Sequence, residues 1–414
     1  MVVDPNGKNF FANVRILELA GELGGYTGKL FANLGADVIR IELPDGDPTR
    51  HERPFIEGAP DKEKSIRYQY LNTNKRGVVL DLTKPEGKDI FYKLVKTADC
   101  LIEGFAPGYM DSLGLGYEQL NEFNPKLVYT AITPYGQNGP YKDYPYSDLI
   151  SMAMGGFLFL AGNGDNKPCL APDKQSYFMA DLYAAYGGIV AMYHADNTGE
   201  GQFVDVSVQE SVATALENAI QTFDLEGKIR RAFGAVEAGT GTYLCQDGYV
   251  YMMAAMGTNS YLWDPVVKWL IEEKIPDAEL LSGKEWLDPN FRRIEQNKAT
   301  FKRIFEHFSK QHTKNYLYVE GQKRKAVIYP VNSAKDVLEN EQLLSREFFK
   351  KLAVEHLGKT VTYPGSPFRL EKMPWALKQS APVFGQDTER ILAECKYSDS
   401  QIKSLAERGV IYVK

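Results

Sequence analysis

An α/β fold, with a doubly wound and mostly parallel sheet plus a smaller α+β domain, is what this 414-residue sequence predicts. Three observations predict it. Short apolar runs alternate with helical stretches from Val14 to Thr133, the rhythm of consecutive βαβ units. The composition, 44% hydrophobic and 25% charged, is that of a globular chain long enough to bury a sizeable core and divide into two domains. A compositional change near Gly227, followed by a hairpin signal at Gln246-Asp247-Gly248, marks where the second domain begins.

Element by element, "VRILELAGELGGYTGKLFANLGADVIRIE" reads as strand, glycine-rich turn, helix and strand. The strand "GVVLDL", the helix "PEGKDIFYKLVKTA", the strand "DCLIEGF", a helix over Tyr117–Phe123 and the strand "KLVYTAIT" continue the pattern. After the loop "YGQNGPYKDYP" come two helical stretches, Asp148 to Phe159 and Tyr177 to His194. The run "NTGEGQFVDVSVQESVATALENAIQ" then gives a turn, a strand and one long helix. The segment from Gly227 reads as loop and hairpin, and the smaller domain ends near "KAVIYPVNSAKDV". Two amphipathic helices in "FGQDTERILAECKYSDSQIKSLAERGVI" return to the sheet. The expected divisions are 1–226, 227–333 and 334–414.

A net charge of −6 offers no broad basic field for nucleic acid or an anionic membrane. Cys100, Cys169, Cys245 and Cys395 show no CxxC spacing, and the five histidines show no metal-ligand spacing, so free thiols and no metal are expected. With no basic leader and no apolar run of spanning length, the reading is a cytoplasmic protein. Gly21, Gly24, Gly25 and Gly28 do not make GxGxxG, although Glu42 lies where a ribose-binding acid would sit, which disfavours a dinucleotide site. No GxSxG elbow supports a serine hydrolase.

The sharpest feature is Asp181, alone in the apolar, aromatic run "SYFMADLYAAYGG". A buried carboxylate is costly unless it is paired or hydrogen-bonded. On a helix its neighbours Ala184, Ala185 and Gly188 are small, which lets another group approach closely. Two compatible readings follow: an N-cap of the helix through Tyr193, or a covalent nucleophile.

Several ordered signatures extend this reading: "LGADVIRIE" with "GDPTR", "NTNKRGVVLDLTKPEGK", "LIEGFAPGYMDSLGLGY", "NPKLVYTAITPYGQNGPY" and "TGEGQFVDVSVQES". Their order and spacing over nearly the whole chain resemble the class III CoA-transferases of the formyl-CoA and carnitine CoA-transferase type, a family that includes alpha-methylacyl-CoA racemase. The resemblance implies a large Rossmann-like domain made from both chain ends, a small domain and an interlocked dimer. It implies that Asp181 is the catalytic aspartate, which attacks an acyl-CoA, forms an anhydride and then an aspartyl-CoA thioester, and passes CoA to an acceptor carboxylate. No cofactor is held permanently; the CoA thioester is a substrate.

The same resemblance places Glu22, Leu23, Leu80 to Thr83, Gly104, Phe105 and Ala106 beside CoA. Leu43, Thr83, Ser112 and Pro145 stand where formyl-CoA transferase has basic residues. Arg40, Arg76, Lys84 and Lys142 either compensate or are ordinary surface charges. Gly239 and Gly241 in "AGTGT" match a reduced glycine-rich lid, or a plain turn. Racemases of the family have a His-Asp pair where this chain has Ser147-Asp148, and serine does not shuttle a proton as histidine does. Asp148 matches an acidic active-site position, or caps the following helix. Tyr135, Tyr144, Tyr146, Tyr177 and Tyr183 around the expected site either fit a bulky or aromatic acceptor acid or are packing. Within the family, an acceptor of aromatic or dicarboxylic, benzylsuccinate type with succinyl-CoA as donor is the expectation. The alternatives are a weakly catalytic CoA-binding partner subunit in a hetero-oligomer, as against a homodimer, and a 2-methylacyl-CoA racemase.

Overall fold

A computed structural model describes residues 9–19, 21–162, 167–230, 237–254 and 260–414. The chain divides into two compact units. One comprises Met1–Leu158, Leu170–Gly227 and Leu344–Lys414, and the other Phe159–Cys169 and Lys228–Leu343.

The first unit is built on a seven-stranded sheet. Its strands are β1 (Arg15–Leu19), β2 (Asp37–Glu42), β3 (Arg76–Leu80), β4 (Cys100–Glu103), β5 (Val128–Thr133) and β6 (Phe203–Ser207), with one more from the end of the chain. The order across the sheet runs β3-β2-β1-β4-β5-β6, and every neighbouring pair among these six is parallel. The strands are nearly continuous apolar runs because helices cover both faces. One covering layer packs Ile90, Leu94, Ile391, Ile402 and Leu405 over the sheet. The other packs Phe31, Tyr177, Ala180, Ala184 and Val212. The order reverses between β1 and β4, so the crevice beyond their carboxyl ends is where an open α/β sheet binds ligands.

Three sequence expectations change in detail. The helix expected over Asp148 to Phe159 stops at Met154, where Gly155 and Gly156 intervene and Gly156 has φ +85°, before a short turn at Phe157–Leu160. The other helix runs further than its apolar core, over Gln175–Thr198. The long helix expected after β6 is two, Val208–Thr214 and Ala219–Glu226, with Glu217 at φ +52° between them, a backbone angle no α-helix continues through.

The second unit has its own core. Strands β7 (Thr240–Cys245), β8 (Gly248–Met253) and β9 (Ile328–Pro330) form an antiparallel sheet, and Gln246-Asp247 makes the β7–β8 turn, with Cys245 paired to Gly248. Trp263, Trp269, Trp286, Phe301 and Phe305 pack beneath it. The loop read over the run from Gly227 falls partly outside the described residues.

From Leu344 the chain belongs to the first unit, with a hairpin of β10 (Phe349–Val354) and β11 (Lys359–Pro364). Helices Thr388–Glu394 and Asp399–Glu407 cover the sheet, the second opened by a Ser398/Gln401 capping box. Strand β12 (Ile411–Tyr412) then adds antiparallel to the β3 edge, Ile411 opposite Leu80. Among the described residues no helix is long and apolar enough to cross a membrane.

Candidate functional site at the sheet switch point

The helix Gly25–Asn33 starts directly above the reversal in strand order. Gly24 caps its N-terminus at φ +85°, a conformation glycine adopts at little cost. Asp181 lies across it, only 2% exposed. One carboxylate oxygen, Oδ1, accepts the Gly24 N–H at 2.8 Å and the other, Oδ2, accepts the Tyr26 N–H at 2.9 Å. Thr27 Oγ1 donates to the Asp181 carbonyl at 2.9 Å, locking the two helices at the same point.

Asp181 therefore does not cap its own helix. That helix begins six residues earlier, and Asp181 sits in its second turn, serving instead as the cap of a different helix. The small face of Ala184, Ala185 and Gly188 is filled by protein: Gly188 faces Phe31 and Thr130. The close approach that small residues permit is made by the helix N-terminus itself.

A buried charge network lies under this turn. Lys75 Nζ donates to Glu18 Oε1 at 2.8 Å, to the Gly25 carbonyl at 2.8 Å and to Asn72 Oδ1 at 2.9 Å. Arg40 pairs with both Glu18 and Asp47. Lys29 donates to Thr73 Oγ1 at 2.6 Å and lies over the Tyr70 ring. Burial raises the Asp181 carboxyl to about 7, and Glu18 adds to the rise, while the two amides and Lys75 oppose it. Burial likewise lowers the Lys29 ammonium to about 7, with Lys75 contributing. Tyr26, whose N–H reaches the carboxylate, packs its ring against Tyr70 and Phe178 in a three-ring cluster of stacked and edge-on contacts.

Several sequence-predicted residues converge here. Leu23 is buried in the turn before Gly24, and Gly104 after β4 presses on it so closely that a Cβ would stand 2.9 Å from Leu23 Cβ. Glu22 is half-buried and pairs with Lys174 at 3.2 Å. Phe105 donates its N–H to Glu103 Oε2 at 2.6 Å and its ring packs at a tilt against Tyr109, while Ala106 is exposed. Glu103 is pushed up to about 8 by burial, with Asp111 and Asp205 adding to the rise.

Leu80 and Thr83 stand apart, two strands over. The Leu80 side chain is wholly inside the core, and Thr83 is exposed with its N–H and Oγ1 on Asp81 Oδ1. Ser147 caps the helix Asp148–Met154 by accepting the Ile150 N–H. Asp148 does not cap that helix; its Oδ1 accepts from the N–H and Oγ of Ser176, in the first turn of the helix that carries Asp181. Gly239 and Gly241 belong to the second unit. Gly239 is buried at φ +83° against Trp263, and Gly241 is a β7 residue opposite Met252.

Of the four basic residues weighed as phosphate partners, three are engaged within the fold. Arg40 is 1% exposed and so is not a surface charge. Arg76 forks between Asp37 and Glu394, and Lys84 donates to the Arg408 and Gly409 carbonyls. Lys142 is exposed.

Residues 11–388 match the sequence profile of CoA-transferase family III. The chain belongs to that family. Among its relatives, the subunit BbsE of succinyl-CoA:(R)-benzylsuccinate CoA-transferase from Thauera aromatica is 43% identical over 405 residues, 98% of each chain. Succinate–glutarate CoA-transferase from Agrobacterium fabrum is 29% identical over 397 residues, 94% of this chain and 96% of that protein. The crystal structure of a CAIB/BAIF family protein from Brucella suis superposes with a TM-score of 0.83 at 26% identity, over 94% of this chain and all of that one.

Set against the family III signatures, the run "LGADVIRIE" with "GDPTR" supplies a buried ion network. Glu42 receives Arg50 through two bonds of 2.7 Å, and Asp47 Oδ1 receives the Thr49 N–H at 2.6 Å. Glu18 and Lys75 are the residues that sequence reading passed over, and Gly28, read only as part of a turn that fails the dinucleotide pattern, is the position against which Glu18 packs. Glu18 is a lone acid in the apolar run "RILEL", the same signal that singled out Asp181. Lys75 sits inside the signature "NTNKRG", where sequence alone assigns no contact.

Proposed function

We propose that this family III chain moves CoA from an acyl-CoA to a carboxylic acid by covalent catalysis at Asp181. One observation carries the reading: a buried carboxylate stands at the switch-point crevice with both oxygens held by backbone N–H groups. Such donors orient the group and favour its charged form against the burial that opposes it.

In the first step an Asp181 oxygen attacks the thioester carbonyl carbon, the C–S bond breaks and CoA leaves as thiolate, giving a mixed anhydride. The thiolate then attacks the Asp181 Cγ and expels the donor acid as its carboxylate, leaving an aspartyl-CoA thioester. The acceptor carboxylate attacks Cγ in turn and releases the thiolate, which takes the acceptor acyl group and regenerates the Asp181 carboxylate. No net proton is consumed, and the burial of Asp181 protects the anhydride from hydrolysis.

Succinyl-CoA as donor and an aromatic dicarboxylic acid of benzylsuccinate type as acceptor agree with the BbsE relative and with the Tyr146–Tyr177 ring pair near Glu22. Ser147, engaged as a helix cap, favours transfer over racemisation. A partner chain is supported by the exposed Tyr186, Val190 and Tyr193 on the Asp181 helix, and by the subunit character of that relative. The reading is of a cytoplasmic enzyme with no resident cofactor.

A second reading has its own observation. Asp181 is 2% exposed with both oxygens occupied, as in a subunit whose partner carries the chemistry. Incubation with succinyl-CoA, hydroxylamine trapping and peptide mass spectrometry separate the two. Transfer predicts an Asp181 hydroxamate. Its absence with a panel of acyl-CoA donors, both alone and with a co-expressed partner, rejects catalysis by this chain.

A further inference from the structure

The Gly25–Tyr26 peptide unit is gripped at both ends. Its carbonyl accepts Lys75 Nζ at 2.8 Å, and its N–H donates to Asp181 Oδ2 at 2.9 Å. In a planar trans peptide these two groups point in opposite directions, so the ammonium and the carboxylate face one another through a single rigid plate. Lys75 is fully buried, and its three N–H groups are used on Glu18, Gly25 and Asn72. Asn72 is itself held, donating Nδ2 to the Tyr68 carbonyl at 3.1 Å.

The surroundings leave Lys75 little freedom. Glu18 and Arg40 face it from β1 and β2, and Lys29 faces it from the helix Gly25–Asn33, which also presents Tyr26 to Asp181. A cation on the carbonyl polarises the peptide and strengthens the N–H at its other end. It also fixes the direction of that N–H.

We infer that Lys75 is a positioning residue for Asp181, acting through the Gly25–Tyr26 peptide to aim the Tyr26 N–H at the carboxylate and hold it ionised. The inference rests on the reading of Asp181 as the acyl-carrying group. Lys75 touches neither the carboxylate nor, in that reading, the substrate. The nearby Glu18 charge opposes ionisation of Asp181, and Lys75 is the cation that offsets it.

Two measurements on the full-length protein test this, one of which needs no turnover. Asp181 ionisation is read from its carboxyl infrared bands by difference against Asp181→Asn. The window is pH 5 to 7.5 for the wild type, in which Lys75, lowered by burial to about 8, stays mostly protonated, and pH 5 to 9 for the variants without a charge at position 75. Hydroxylamine trapping with succinyl-CoA gives the rate over the same range. In Lys75→Met the ionisation should move up by about one pH unit, with roughly tenfold slower trapping at pH 6.5. Lys75→Arg should return part of both. Lys75→Gln, which keeps an N–H donor without the charge, should move the titration as well, and it serves if the methionine variant does not fold. A folded, uncharged variant whose Asp181 titrates as in the wild type overturns the inference, whatever its rate. A wild type that forms no adduct with any donor of an acyl-CoA panel, alone or with a co-expressed partner, but whose titration follows Lys75 keeps the positioning of the Asp181 charge and removes the transfer reading.

Discussion

Glu18 occupies the space that a side chain on Gly28 would need: a Cβ there would stand 1.5 Å from Glu18 Oε2. The strand and the first turn of the helix Gly25–Asn33 thus meet with no intervening layer, and that contact sets the height of the turn gripping Asp181. Gly28→Ala should cost more than about 3 kcal/mol, since relief requires lifting the helix or expelling a carboxylate bonded to Lys75 and Arg40. Urea denaturation measures it. A variant within about 0.5 kcal/mol of the wild type would show that the helix shifts freely.

Asp181 should leave a pH signature on stability. Its carboxyl, near 3.9 in an unfolded chain, is held at about 7 in the fold, chiefly by burial. The folded state therefore binds a proton that the unfolded state has released, and the resulting stabilisation is full below about pH 4 and lost as pH rises through about 7. Asparagine does not ionise. The stability of the wild type relative to Asp181→Asn should fall between pH 5 and pH 8, whatever the fixed cost of replacing an oxygen that accepts an N–H. Parallel urea titrations of both proteins at the two pH values measure the change, and an equal difference at both contradicts it.

How much of this was legible in sequence follows from which forces are local. The strands β1 to β6 and their helices announce themselves because periodicity and turn residues act within a few positions. The break at Glu217 and the capping of one helix by an acid from another are not local. Asp181 and Asp148 read as caps of the helices around them because the sequence shows only their neighbours in the chain. The fold uses each on the N-terminus of a helix that packs against it. The lone acid in an apolar run was a sound signal, and applied evenly it also marks Glu18. Lys75 gives no such signal, for a lysine between Asn74 and Arg76 looks solvated, and its burial depends on Glu18, 57 residues away. The edge strand β12 is two residues long, too short for any pattern.

Glu103 supplies a test of the loop after β4. Burial holds its carboxyl up at about 8, against the Phe105 N–H that it accepts. At pH 6 the folded protein carries Glu103 protonated, so Glu103→Gln, which keeps an acceptor for Phe105, should be within about 1 kcal/mol of the wild type. The wild-type advantage from the raised value is lost as pH rises through about 8, and the glutamine variant does not share that loss. Thermal unfolding at pH 6 and pH 9 should show Glu103→Gln gaining on the wild type at the higher pH. Parallel behaviour at both would place a charged Glu103 in the fold.

The proposed partner chain can be tested from the helix that carries Asp181. Tyr186, Val190 and Tyr193 are 68%, 52% and 62% exposed, with Leu182 and Tyr183 beside them, a continuous apolar face at helical spacing. These residues point away from the sheet, whereas Ala180, Ala184, Ala191 and Ala195 pack onto it. A charge placed there adds little strain to the isolated fold, since surface substitutions of this kind stay within about 0.5 kcal/mol. In an interface it would be buried without a partner, at a cost of several kcal/mol. Tyr186→Glu with Tyr193→Glu should therefore leave the circular dichroism and melting of the separated chain unchanged while lowering the mass seen by size-exclusion chromatography with light scattering. Equal assembly of the wild type and the double variant, alone and with a co-expressed partner, would rule out this face as the interface.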